Sequence, residues 1–266
     1  MSIKNLEPNG LWKNFYALTQ IPRPSKKEEK VVAFLKEFGE NLGLETIVDK
    51  VGNVIIRKPA TPGYEDRMGV VLQAHVDMVP QKNSDKVHDF EKDPIETRIE
   101  DGWVKANGTT LGADNGVGAA AAMAVLEATD LVHGPIEGLF TVDEETGMTG
   151  ANALEPGVLK GDILINMDSE TEGELYVGCA GGIDTCGYFT PKFEDVPAGS
   201  KAFQLIVKGL KGGHSGMDII LGRANANKGM NALLLKATEE YDARVADIQG
   251  GSLRNAIPRE SFVTIT

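Results

Sequence analysis

The sequence predicts an α/β protein, a mixed sheet flanked by helices, followed by a smaller α+β unit. Three observations predict this. Short apolar runs alternate with helix-period segments between residues 25 and 168. Ligand-type residues fall at the ends of those runs, where open α/β sheets place their sites. Near residue 195 the character changes, with Glu194-Asp195-Val196-Pro197-Ala198-Gly199-Ser200 reading as a linker. The domains are therefore set at 1–197 and 198–266.

Element by element, Ser25-Lys26-Lys27-Glu28 reads as a capping box. Val31, Phe34, Leu35, Phe38 and Leu42 follow at helical spacing, and Gly43 is the stop. Strands fit Thr46–Val48 and Val54–Arg57 around a Gly52-Asn53 turn. Gly69–Ala74 is a buried strand ending in His75. An Ala-rich helix runs from about Val117 to Thr129, and Leu139–Val142 and Asp162–Met167 are further strands. In the second unit Phe203, Leu205 and Val207 alternate as in a half-buried strand. A glycine-rich turn spans Gly209–Gly216, a helix about Ala224–Val245 and a last strand Phe262–Ile265.

The composition of the 266 residues excludes disorder and collagen-like structure, since 41% are hydrophobic and only 12 are proline. A net charge of −12 argues against nucleic acid or an anionic membrane as the main partner. The longest apolar stretch, Gly116–Leu126, is too short for a bilayer span of about 20 residues, and the N-terminal segment lacks the apolar core of a signal peptide. Cys179 and Cys186 have no neighbours at metal-site spacing and read as free thiols. A cytoplasmic protein fits these features.

Four motifs carry chemistry. In His75-Val76-Asp77, residues two apart on a strand face the same side, so the carboxylate can orient the imidazole; a structural histidine gives the same pattern. In Gly112-Ala113-Asp114-Asn115-Gly116, Asp114 is either a helix N-cap or a carboxylate aimed into a cleft, with glycines permitting close approach. Asp143-Glu144-Glu145 puts three carboxylates directly after an apolar strand. A solvated turn tolerates that, and a bound cation would turn the repulsion into binding. Asp168 ends another apolar run. One histidine with several carboxylates suits zinc or manganese better than calcium.

Taken in order, and with Lys211-Gly212-Gly213-His214-Ser215-Gly216, these motifs closely resemble the aminoacyl-histidine dipeptidases, the cytosolic Xaa-His dipeptidases. These lie within the co-catalytic zinc family that includes carboxypeptidase G, aminoacylases and tripeptidases. The resemblance runs over essentially the whole chain. It implies a zinc-exopeptidase-like catalytic domain with a partial lid domain, a small peptide substrate, and a homodimer formed through the lid.

By resemblance, His75 and Asp168 bind one zinc, Asp114 bridges two ions and Glu145 binds the second. Asp77 orients His75, and Glu144 is the general base. His214 is the lid histidine that stabilises the oxyanion, and Asn255, in Arg254-Asn255-Ala256-Ile257-Pro258-Arg259, contacts substrate. Manganese or cobalt could support the same chemistry. His88 and His133 match no motif and read as surface residues.

The family pattern takes a second metal-binding histidine from a segment that returns after the lid, and no histidine here fits that place. The resemblance thus implies the N-terminal portion of a longer enzyme, expected to bind one zinc well and a second weakly, with little activity alone. A related tripeptidase or aminoacylase and a non-catalytic metal-binding module are the alternatives.

Overall fold

The computed structural model describes residues 2–83, 86–178, 185–251 and 253–266. Cys179 lies outside the described residues, and Cys186 is an exposed free thiol. The chain divides into two compact units, residues 1–181 and 182–266.

In the first unit, helices α1 (Asn9–Thr19) and α2 (Glu29–Asn41) precede strands β1 (Glu45–Val48), β2 (Val54–Lys58) and β3 (Val70–His75). A hairpin of β4 (Thr97–Glu100) and β5 (Trp103–Ala106) leads to α3 (Ala113–Glu127) and β6 (Ile136–Thr141). The short α4 (Thr149–Asn152) and β7 (Ile163–Asn166) complete the unit. The sheet order is β1-β2-β6-β3-β7. Strands β6, β3 and β7 are parallel, whereas β1, β2 and β6 pair antiparallel, so the sheet is mixed as expected.

Period-two alternation distributes the strand residues between the two faces. Val54, Ile56, Ala74, Ile136 and Phe140 join the main core with Phe15, Leu18, Val31, Leu35 and Met123 from the helices. Ile55, Val71 and Leu139 face the other way, against Leu154, Val158 and Leu159. Each fully buried side chain of this size contributes roughly 1.5–3 kcal/mol. In α3, small residues let the helix sit close to the sheet, and a Cβ on Gly118 would strike Asn115 Oδ1 and the Met167 carbonyl.

Register sets up the site. His75 lies opposite Thr141, and Gln73 opposite Asn166. The parallel strands therefore end along one edge, and the segments leaving them carry Asp77, Glu144, Glu145 and Asp168.

In the second unit, β8 (Phe203–Val207), β9 (Gly213–His214), α5 (Ala226–Tyr241), β10 (Val245–Gly250), β11 (Ala256–Ile257) and β12 (Ser261–Ile265) follow in order. A three-stranded antiparallel sheet, β10-β12-β8, packs Leu205, Val207 and Val263 against Met230 and Leu234 of α5. The Asn225 side chain caps α5 by accepting from the Asn227 and Lys228 amides.

Several expectations are corrected. The helix expected to reach Val245 stops at Tyr241, because Asp242 is left-handed (φ 52°), and Val245 opens a strand instead. Phe203 is exposed, so only Leu205 and Val207 make the buried side of β8. His88 is buried against Phe90 and so is not a surface histidine, while His133 is half-buried with Nδ1 on the Gly134 carbonyl. The capping box is absent: α2 has no side-chain cap, Ser25 bonds Asp77, and Glu28 accepts from the Lys26 and Asp143 amides. No helix among the described residues is long and apolar enough to cross a membrane.

Candidate metal centre

His75 is 1% exposed and Asp77 is fully buried. Asp77 Oδ1 lies 3.2 Å from His75 Nδ1. The same carboxylate accepts from the backbone amides of Glu144 (3.0 Å) and Glu145 (3.2 Å) and from Ser25 Oγ (2.7 Å). One buried carboxylate therefore fixes the imidazole and the acidic loop together. These hydrogen bonds outweigh burial and hold Asp77 below the usual carboxylate range.

The other imidazole nitrogen faces acids. His75 Nε2 lies 2.9 Å from Asp114 Oδ1, 3.7 Å from Asp168 Oδ1 and 3.9 Å from Glu144 Oε2. Asp114 does not cap α3. Its backbone is non-helical (φ −80°, ψ 112°), at the kink before the regular part of the helix, and its carboxylate goes to the imidazole. His75, Asp114 and Asp168 each offer a ligand atom, all within 4.8 Å of one another, so they form a group that could hold a metal ion. Glu145 stands outside that group among the described residues. A mixed nitrogen and carboxylate donor set fits a first-row divalent cation. Asp114 and Asp168 border a cleft of about 440 Å3 whose other walls include Asn115, Val117 and Met167.

Electrostatics agree with the donor set. Burial pushes the Asp168 carboxyl up to about 6; His75 pulls it back and the Asp114 charge adds to the rise. Burial and then the Asp114 charge push Glu145 up to about 7. Burial alone would lower His75, but its bonds to Asp114 and Asp77 raise it to about 10. The site carries more negative charge than one imidazolium balances, a deficit that a divalent cation would relieve.

The acidic loop is braced from below. Asp143 Oδ1 accepts from Thr146 Oγ1 at 2.6 Å, Asp143 Oδ2 from Thr149 Oγ1, and the Asp143 amide donates to Glu28 Oε1 at 3.1 Å. Buried Asn53 accepts from the Val142 amide and donates to the Gly150 carbonyl, clamping both ends of the loop. Sequence reasoning missed Ser25, Glu28 and Asn53 as parts of the site, because all three match common cap and turn patterns.

In the second unit, His214 pairs with Ala256, and the Ser215 amide donates to the Asn255 carbonyl at 2.8 Å. His214 Nδ1 accepts from the amides of Gly216 (3.0 Å) and Met217 (3.2 Å). That leaves the proton on Nε2, so the exposed ring presents an N–H donor. Asp218 takes the His214 amide at 2.7 Å and pairs with Arg223, which fixes the loop. His214 and Asn255 are thus adjacent, on paired segments of one unit.

Residues 71–180 match Peptidase family M20/M25/M40, and residues 205–266 match the peptidase dimerisation domain. The cytosol non-specific dipeptidase of Escherichia coli (strain K12) is 54% identical over 263 residues, covering 99% of this chain and 54% of that protein. The crystal structure of aminoacylhistidine dipeptidase from Vibrio alginolyticus superposes with a TM-score of 0.69 at 53% identity, over 100% of this chain and 54% of that one. Aminopeptidase PepT from Bacillus cereus shares the fold, with a TM-score of 0.54 at 21% identity, over 98% of this chain and 66% of that one. The chain spans about half the length of the two dipeptidases it matches. With both matched segments in order on a mixed-sheet unit and a smaller α+β unit, the chain belongs to peptidase family M20/M25/M40.

Proposed function

We propose that this chain provides the metal centre and lid of a metal-dependent dipeptidase acting on small unblocked dipeptides of the Xaa-His type. The observation that carries the reading is the His75 imidazole, with Nδ1 anchored on buried Asp77 and Nε2 facing Asp114, Asp168 and Glu144. The 54% identity to a non-specific dipeptidase supports dipeptides over tripeptides or N-acylated amino acids, and the likeness to an aminoacylhistidine dipeptidase supports the Xaa-His type. The cytosolic location of that relative, by its name, supports the same place for this protein.

His75 and Asp168 would hold one zinc ion, Asp114 would bridge it to a second, and Glu145 would serve the second. Manganese or cobalt suits the same donors. Such ions, when bound, polarise a peptide carbonyl and acidify a water. Glu144 takes the proton of the attacking water and passes it to the departing amine nitrogen, a role worth about 10²–10⁴-fold. Asp77 keeps the His75 proton on Nδ1, so that Nε2 offers its lone pair. His214 supplies its Nε2–H as the donor for the oxygen that becomes negative when the carbonyl is attacked, and Asn255, on the paired segment, serves substrate binding. The matched dimerisation domain supports a homodimer formed through the second unit.

The test is side-by-side turnover of alanyl-histidine, a tripeptide and an N-acetyl amino acid by the zinc-loaded whole protein. Preference for the dipeptide, lost in Glu144→Gln, is expected. A strong preference for the acetylated substrate would overturn the dipeptidase reading.

A further inference from the structure

Arg23 lies under the metal centre and belongs to none of the motifs discussed above. Its side chain is 2% exposed. Nη1 donates to the carbonyls of Val76 (2.8 Å) and Asp77 (3.2 Å), and Nη2 donates to the Gly112 carbonyl at 2.6 Å. The guanidinium therefore joins two separate segments, the end of the His75 strand and the turn that carries Asp114.

Two glycines make room for it. A Cβ on Gly112 would lie 2.6 Å from Arg23 Nη2, and a Cβ on Gly116 would lie 2.6 Å from the same atom. Gly112 is also left-handed (φ 70°), a conformation that side chains disfavour. The glycines around Asp114 thus serve the guanidinium as well as the approach to the cleft.

The backbone of this segment is held just as firmly. The Met78 amide donates to the Arg23 carbonyl (3.1 Å), the Ser25 amide donates to the Met78 carbonyl (3.3 Å), and Pro24 forms a parallel bridge with Met78. Pro22 and Pro24 restrict the chain on either side. Arg23 is thus a preset fork whose two prongs reach carbonyls of different segments.

We propose that Arg23 is a positioning residue that sets the distance between the His75 and Asp114 sides of the metal centre, working through backbone carbonyls and touching no substrate. The proposal rests on the metal-centre reading above. Lysine cannot replace it, since a point-like ammonium does not reproduce the planar fork that spans both segments. Residues that orient metal ligands from outside typically change metal affinity by about 10–100-fold.

The test is cobalt(II) titration of the metal-free protein, read by its visible absorption, for wild type, Arg23→Gln, Arg23→Lys and Gly116→Ala. Both Arg23 variants are expected to bind about 10–100-fold more weakly and with an altered cobalt spectrum. Gly116→Ala keeps the guanidinium but displaces it, and should shift the spectrum as well. If Arg23→Gln does not fold, Arg23→Lys and Gly116→Ala decide. Affinity and spectrum unchanged in Arg23→Lys would overturn the proposal. If wild type takes up no cobalt, the metal-centre reading fails by itself. The clamp is then judged by amide hydrogen exchange at residues 112–118, expected to be about tenfold or more faster in Arg23→Lys, and equal rates would overturn it.

Discussion

The buried carboxylate of Asp77 touches His75 Nδ1 at 3.2 Å and the Glu144 backbone amide at 3.0 Å through one oxygen. The ring that would hold a cation and the loop that carries the base therefore share one anchor. Asp77→Ala removes it and leaves two half-buried amides and an imidazole N–H without an acceptor. Metal affinity should fall about 10–100-fold, and stability by roughly 1–3 kcal/mol. Zinc competition with a chelating dye, beside a urea unfolding curve, measures both. Asp77→Asn should lose affinity with a smaller stability change, because the amide oxygen still accepts.

Glu144 needs a different outcome. Its amide is fixed by Asp77, while its carboxylate stands 3.9 Å from His75 Nε2 with the side chain about one-third exposed at 34%. It can meet solvent and the ligand group at once. In the whole protein, Glu144→Gln should keep zinc stoichiometry and lower kcat by about 10²–10⁴-fold. Elemental analysis with alanyl-histidine turnover checks this, and a variant that turns over normally would remove Glu144 as the base.

The gathering of polar side chains was legible because they fall at the ends of apolar strands, whereas their ligand roles came only from the family resemblance. His75, Glu144 and Asp168 could be placed at one sheet edge from that alone, while Asp114 stayed open between a helix cap and a cleft carboxylate. The support beneath them was not legible. Ser25 and Glu28 have the spacing of a capping box, a local pattern, but their partners are Asp77 and Asp143, distant in sequence. Asn53 reads as a turn residue and is instead fully buried between β2 and the acidic loop. A run of residues with local propensity does not reveal a tertiary partner that outbids it. Strand β10 was missed for a related reason. All six of its residues are exposed, so no buried alternation marks it, and the left-handed turn at Asp242 that ends α5 leaves only a weak signal.

His214 is expected to act on turnover and leave metal binding alone. Its Nδ1 is saturated by the Gly216 and Met217 amides, so its proton sits on Nε2. Removing one such donor from an oxyanion site costs about 10²–10³ in kcat. His214→Ala should show that loss with unchanged zinc content. His214→Asn should not recover it, since the amide lacks the ring's reach. Equal kcat in His214→Ala and wild type would leave the ring as a loop-bracing group only.

The last prediction concerns acid stability and a carboxylate outside the metal centre. Glu137 on β6 is buried at 4% exposure, pairs with Arg57 Nε at 2.8 Å, and accepts from the Lys160 and Gly161 amides at 2.7 Å each. Burial alone would raise its pKa. The Arg57 bond and the two amides prevail and hold it below the usual carboxylate range. A depressed folded-state pKa means that the stabilisation is complete above the unfolded value, about 4.3, and drains away as pH falls through the folded value. Glu137→Gln loses the charge at every pH. It should therefore be less stable than wild type by roughly 1–3 kcal/mol at pH 7, with the gap shrinking on acidification as the wild-type carboxylate takes up its proton. Urea unfolding of both proteins at pH 7 and at about pH 3 measures the gap. A gap that stays constant or widens in acid would mean that the Arg57 pairing does not set the acid limb of this fold.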